Sequence, residues 1–381
     1  MRLISLLQPK KLSIGAGALD LFADDFLTAK YKSLVVLTAP PIVPLISGML
    51  ERLKQQGVSL TLIDNIVREP TVADLENILL IAEKANADSV AGIGGGSVLD
   101  LAKLVAAKIN NPQPISGMFG TGFVKSRNAY LACIPTTSGT GSEVSPNAIL
   151  LDETDSMKKG IVSPFLVPDA AYVDATLTIG LPPKFTAETG LDALCHCIEA
   201  YTNKFAHPVI DVYALEGIRL ISANLLAAVK DGKNLEARAS LSLGSLYGGL
   251  CLGPVNTSAV HALSYPLGGE FHIAHGLANA ILLPEVFAFN MNANVKKHAD
   301  VAAAMGVERT GADVEVAKKG VEVLRKLVRD CNIPAKLTDL GVAPSMLDKL
   351  AENALTVQRL LKNNPKEVTL EDAKGIYERL F

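Results

Sequence analysis

The stretch SVAGIGGGSVLDLAKLVAAKI, residues 89–109, decides how this chain folds. A run of strand character over 89–94 passes straight into glycines, then into apolar residues at helical spacing over 97–109. Glycines let backbone approach a ligand closely, and the helix start beyond them offers free N–H groups and a positive dipole end. That combination suits a pyrophosphate; a tight strand-to-helix turn with no ligand is the plainer alternative. Gly92, Gly94 and Ser97 come near the GxGxxG fingerprint. The acidic partner expected about 20 residues later is missing, and the loop follows a third or fourth strand, so an ordinary Rossmann assignment is weak.

The same alternation extends to both sides. SLVVLT (33–38), VSLTLID (58–64) and YLACIP (130–135) read as further strands. PIVPLISGMLERLKQQ (41–56) reads as a helix with proline in its first turns, and TVADLENILLIAEKANA (71–87) as a helix opened by Thr71. Such alternation predicts a parallel sheet covered by helices. Beyond residue 180 strand-like runs largely vanish. Helical periodicity takes over at 183–203, 208–231, 234–252, 275–282, 312–331, 345–361 and 369–380. The expected boundary lies near Leu181-Pro182-Pro183, with an α/β domain over 1–181 and an all-helical domain over 182–381.

Composition narrows the function classes. A chain of 381 residues has room for two domains, and 49% hydrophobic content with 20% charge argues against disorder. The net charge of −3 comes with dispersed basic residues, so no nucleic-acid partner is expected. Cys133, Cys195, Cys197, Cys251 and Cys331 form an odd set at irregular spacings, which reads as reduced thiols of a cytoplasmic protein. MRLISLLQPKK carries too short an apolar run for a signal peptide. Pro40, Pro41 and Pro44 interrupt the apolar stretch Leu34–Leu50, so no membrane span is expected there.

A second loop, Pro135-Thr136-Thr137-Ser138-Gly139-Thr140-Gly141-Ser142-Glu143, places hydroxyls beside glycines just past another strand end. Such a loop can grip phosphate and ribose oxygens, or can be a plain Ser/Thr turn. Two such loops at successive strand ends favour a ligand, because ligands sit at the carboxyl edge of parallel sheets. In the helical half, Asp192 and His196 stand four apart, so a carboxylate and an imidazole share one helix face. Cys195 and Cys197 point about 100° away on either side and read as core thiols. His261 and His275 lie fourteen residues apart around a glycine-rich segment. One Asp and three imidazoles suit Fe²⁺ or Zn²⁺, though each histidine alone also reads as a satisfied polar group. His207 and His298 have no such company and are expected at the surface.

Together these motifs resemble the iron-containing (group III) alcohol dehydrogenases. The resemblance runs through GGGSVLD (94–100), PTTSGTGSEV (135–144), KKGI (158–161), GLDALCHCIEAY (190–201) and HALSYPLGGEFHIAHGLANAILLP (261–284). It implies a dinucleotide-binding α/β domain followed by a helical metal-binding domain, a dehydroquinate synthase-like fold, and commonly a homodimer. It further implies Asp192, His196, His261 and His275 as ligands of Fe²⁺, or of Zn²⁺ in some members. Gly95, Gly96 and Ser97 would hold the pyrophosphate, and Thr136, Thr137, Thr140, Asn147 and Lys158 would line the rest of the NAD or NADP site.

Three positions depart from the family pattern. Ala39 stands where NAD-preferring members often carry Asp, which leaves NADP open. Tyr265 replaces a histidine four residues after the third ligand, and Leu252 replaces a pocket phenylalanine. The resemblance implies hydride transfer between the nicotinamide and a small alcohol or aldehyde whose oxygen the metal polarises. The proton would pass through water, Tyr265, His272 or the cofactor ribose, while His261 and His275 act through the ion. A hydroxyacid–oxoacid transhydrogenase, a relative of glycerol dehydrogenase or dehydroquinate synthase, and a catalytically silent metal- or nucleotide-binding protein are the rival readings.

Overall fold

Thr38 and Gly94 end two adjacent parallel strands, and the geometry at those ends organises the first half of the molecule. The computed structural model describes residues 2–154 and 157–381, which fall into two compact units. Leu6–Thr137 and Gly141–Ile179 form an α/β unit; residues 2–5, Ser138–Thr140 and Gly180–Phe381 form a helical one.

The α/β unit runs β1 (Lys11–Ile14), α1 (Ala18–Thr28), β2 (Ser33–Thr38), α2 (Val43–Gln55), β3 (Ser59–Ile63), α3 (Val72–Lys84), β4 (Ser89–Gly94) and α4 (Gly96–Lys108). It continues with β5 (Gly120–Thr121), β6 (Tyr130–Pro135), β7 (Asn147–Asp152), β8 (Met157–Val162) and β9 (Ala170–Val173). Six strands build a wholly parallel sheet in the order β1-β9-β6-β4-β2-β3. Both faces of β2 are buried, which is why it reads as one unbroken apolar run. Leu34 and Val36 pack with α1 and α2, whereas Val35 and Leu37 pack with α3 and α4. The chain therefore leaves β2 toward one face and β4 toward the other. Adjacent strands whose helices diverge open a crevice at their carboxyl ends, where open α/β sheets bind ligands.

Thr71 opens α3 as expected, through a reciprocal capping box with Asp74. The small sheet β5-β8-β7 was not expected: β7 is half-buried, and Lys158, Lys159 and Gly160 break the apolar run of β8.

The helical unit comprises α5 (Pro183–Thr202), α6 (Pro208–Lys230), α7 (Leu235–Leu252), α8 (Ala259–Phe271), α9 (His275–Asn290), α10 (Val295–Ala304), α11 (Asp313–Asp330), α12 (Leu347–Leu355), α13 (Gln358–Leu361) and α14 (Leu370–Glu378). Its central helix is α5, buried almost throughout from Thr186 to Thr202 and packed against α6, α7 and α9. Among the described residues α6 alone has the length and composition to cross a membrane; here it packs along α5 and α7. The expected helix over 345–361 is two, α12 and α13. Neither α8 nor α10 was expected; Pro266 and two following glycines mask the periodicity of α8.

Candidate active site

Four polar side chains meet in the interior of the helical unit. Asp192 and His196 project from one face of α5, His261 from the first turn of α8, and His275 from the first residue of α9. Oδ1 of Asp192 lies 3.5 Å from Nε2 of His261, 3.7 Å from Nε2 of His275 and 3.9 Å from Nε2 of His196. The His196 and His261 rings stack at 4.9 Å between centroids, and His261 meets His275 at 5.2 Å. Asp192, His261 and His275 form the tightest group, with their ligand atoms all within 4.8 Å of one another.

The donor set fits a divalent ion. A tetrahedron with arms of about 2.1 Å has edges of about 3.4 Å, close to these separations. Nδ2 of Asn279 sits among the same acceptors, 2.7 Å from Oδ1 of Asp192, 3.1 Å from Nε2 of His261 and 3.2 Å from Nε2 of His275. A hydrogen-bond donor thus faces the lone pairs that a cation would draw on, while the amide's own Oδ1 is buried without a partner.

Electrostatics point the same way. Burial raises the Asp192 carboxyl, but the charges of His196, His275 and His261 outweigh it and hold the group far below the usual carboxylate range. Burial lowers His196, against the pull of Asp192. Burial also lowers His261, yet Glu199 and Asp192 outweigh it and lift the ring to about 9.

Two members of this cluster escaped the sequence reading. Glu199 lies seven residues after Asp192 on α5, and its Oε2 is 2.5 Å from Nδ1 of His261. Asn279 lies four residues after His275 on α9. Helical spacing from a proposed ligand was the signal that marked both.

The remaining helical-unit residues divide. Tyr265 approaches His275 edge-on at 6.4 Å between rings, and its hydroxyl accepts a 3.4 Å hydrogen bond from Arg359. His272 is exposed, caps α8 in the left-handed region at φ 54°, and makes no hydrogen bond or ring contact with the cluster among the described residues. Leu252 is the last residue of α7 and is buried. Cys195 and Cys197 are free and fully buried core thiols. The surface expectation for His207 and His298 is corrected. His207 is buried where it caps α6, its Nδ1 accepting from the Val209 N–H, and His298 is fully buried against the Phe287 ring. The helix cap made by His207, and the contact of His298 with the Asn294 carbonyl and the Phe287 ring, have no signature in histidine spacing.

In the α/β unit, β4 and β6 pair with Gly94 opposite Pro135, so the two glycine-rich loops leave the sheet side by side. The Thr136 N–H donates to the Gly94 carbonyl at 3.0 Å. Gly95 is the extended N-cap of α4, followed by Gly96 and Ser97 in its first turn. A Cβ on Gly94 would sit 2.6 Å from the Val98 side chain, and one on Gly95 would sit 3.4 Å from Thr137. Only glycine permits the first of these approaches.

α4 also holds the second loop in place. Asp100 accepts from Ser142 Oγ at 2.6 Å and the Ile149 N–H at 2.9 Å. Lys103 Nζ donates to the carbonyls of Ser145 and Asn147 at 2.9 and 2.8 Å. Oδ1 of Asn147 is buried without a hydrogen-bond partner. Lys158, on β8, pairs with Glu69 at 2.5 Å. Thr140 groups with the helical unit, where neighbouring Ser138 bonds Ser242. The structure thus gathers Gly95, Gly96, Ser97, Thr136 and Thr137 at one sheet edge, ties Asn147 to α4 through Lys103, and turns Lys158 to an acidic partner.

Comparison with known proteins follows the same division. Residues 9–175 match the family described as iron-containing alcohol dehydrogenase, and residues 186–381 match the C-terminal part of the Fe-containing alcohol dehydrogenase family. Long-chain-alcohol dehydrogenase 1 of Geobacillus thermodenitrificans is 37% identical, over 100% of this chain and 98% of its own length. The crystal structure of a 1,3-propanediol oxidoreductase superposes with a TM-score of 0.96 at 31% identity, covering 100% of both chains. Sulfoacetaldehyde reductase from Bifidobacterium kashiwanohense, solved in complex with NAD⁺, superposes with a TM-score of 0.89 at 26% identity, covering 100% of this chain and 99% of the other.

Proposed function

Because the chain belongs to the iron-containing alcohol dehydrogenase family, we propose that it reduces a small aldehyde, or oxidises the corresponding alcohol, with NAD or NADP and a divalent metal. It is an oxidoreductase of that family, and the family's NAD(H) and divalent metal are its cofactors. One observation carries the reading for this chain: a buried carboxylate facing three imidazole Nε2 atoms at metal-site separations. The relatives act on a long-chain alcohol, 1,3-propanediol and sulfoacetaldehyde by their names, which supports an alcohol or aldehyde substrate here.

The roles follow from the residues. Asp192, His196, His261 and His275 hold the ion, with Fe²⁺ preferred and Zn²⁺ second. Gly95, Gly96 and Ser97 present N–H groups of the α4 start to the pyrophosphate, and Thr136, Thr137, Thr140, Asn147 and Lys158 line the remainder of the cofactor site. When bound, the ion supplies Lewis acidity worth several kcal/mol at the substrate oxygen and the nicotinamide supplies or accepts the hydride. The proton passes through water, the cofactor ribose, exposed His272, or the Tyr265 hydroxyl that lies beside His275 and accepts from Arg359. Ala39 at the end of β2 places no carboxylate against a 2′-phosphate, which supports use of NADP as well as NAD.

Residues 1–181 are accordingly assigned to dinucleotide binding and 182–381 to the metal and catalysis. Five free, buried cysteines support a reducing, cytoplasmic setting. β1, an edge strand of the sheet, supports pairing with a second copy as a homodimer. Metal analysis of the purified protein, joined to NADH and NADPH oxidation over a panel of aldehydes, tests the reading. Metal bound in near one-to-one ratio with cofactor-dependent reduction is expected; full activity in metal-stripped protein would refute it.

A further inference from the structure

We propose that Glu199 is a positioning residue: it fixes His261 as the tautomer protonated on Nδ1, so that Nε2 keeps its lone pair for the ion. The inference rests on the metal-dependent reading above and adds to it a residue outside the four ligands.

The geometry is specific. Glu199 is 3% exposed and stands seven residues after Asp192, two turns along the same face of α5. Its Oε2 lies 2.5 Å from Nδ1 of His261, while Nε2 of the same ring faces Oδ1 of Asp192 at 3.5 Å. Its Oε1 accepts from the Ser258 hydroxyl at 2.9 Å and the Val260 N–H at 2.7 Å. One carboxylate therefore holds the start of α8 and the ring that α8 carries.

A carboxylate oxygen accepts hydrogen bonds, so a ring that gives its Nε2 lone pair to an ion must carry its one proton on Nδ1 to satisfy it. A ring bonded in this way is oriented and made more basic at its free nitrogen. Asp192 and Glu199 thus place two buried carboxylates on opposite sides of the His261 ring.

A glutamine at this position preserves shape and reverses polarity. Its Oε1 can still accept from Ser258 and Val260, but its NH₂ group would face Nδ1. The ring would then carry its proton on Nε2, where it obstructs the ion. A residue that merely caps α8 would tolerate that exchange; one that sets the tautomer would not.

The test uses the full chain with Zn²⁺ as the probe, by chelator competition, with the thermal midpoint of the metal-free protein measured alongside. For Glu199→Gln, Zn²⁺ affinity is expected to fall by about 10–100-fold with the metal-free midpoint nearly unchanged. Glu199→Asp is expected to recover part of the affinity. Imidazole ¹⁵N spectra of Zn²⁺-loaded wild type supply an arm independent of how the variants fold. The resonance lost in His261→Ala should report a protonated Nδ1 and a metal-bound Nε2. Unchanged affinity in a folded Glu199→Gln variant, or a His261 ring without a proton on Nδ1, overturns the assignment. Wild type that takes up no Zn²⁺ or Fe²⁺ refutes the metal reading itself and removes the role with it.

Discussion

His261 shows what a single side chain carries here. Its Nε2 faces Asp192 and its Nδ1 faces Glu199, so replacing it removes one donor and leaves a buried carboxylate without its ring. His261→Ala is therefore expected to lose metal and to cut turnover about 1000-fold or more, the equivalent of roughly 4 kcal/mol. NADH affinity, measured by fluorescence titration, should stay within about twofold, because Gly95, Gly96, Ser97, Thr136 and Thr137 lie in the α/β unit. Glu143 gives a pH-dependent counterpart. Burial lifts its carboxyl to about 7, against its own backbone N–H and Lys103. A folded-state value above the unfolded one means that the folded protein holds the proton more tightly. The stability this gives is complete below about pH 4.5 and is lost as the pH rises through about 7. Glu143→Gln should therefore raise the urea midpoint at pH 8 clearly more than at pH 5, and an equal shift at both would contradict the assignment.

At the scale of elements, α4 joins the two glycine-rich loops into one structure. Lys103 is fully buried and donates to the Ser145 and Asn147 carbonyls, while Asp100 one turn earlier holds Ser142 and Ile149. Lys103→Met leaves those carbonyls unpaired beside a buried carboxylate, a kind of change that costs about 3–5 kcal/mol. Urea denaturation should show that loss, and NADH binding should weaken as the segment carrying Asn147 loosens. The sequence made this framework legible where burial leaves a strong period. β2, β4 and β6 are continuous apolar runs because both sheet faces are covered. Asp192 and His196 declared themselves because a helix puts residues four apart on one face. The rest lacked such a signal: β8 is interrupted by lysines, and α8 contains Pro266. Glu199 did carry helical spacing from His196 and Asp192, but spacing alone does not say that a carboxylate serves the far nitrogen of a histidine on another helix.

Across the whole molecule, the four proposed ligands come from α5, α8 and α9, which span chain positions 183–290, so the ion would tie distant segments of one unit together. A ligand that binds only the folded state stabilises it by about 2.7 kcal/mol at a hundredfold excess over its dissociation constant. Chelation should accordingly lower the thermal midpoint by about 5–11 °C for a unit of this size. The effect should also be local. Without the ion, Asp192 keeps the imidazoles and the Asn279 amide, and Glu199 keeps His261, Ser258 and Val260, but the three-element cluster loses its common centre. Faster hydrogen exchange is therefore expected in peptides from α5, α8 and α9. Peptides from β2, β4 and α4 belong to the other unit and contribute no ligand to the ion, so their exchange should not change. Protection lost evenly across both units, or lost nowhere, would mean that the ion does not bind where Asp192 and the three imidazoles converge.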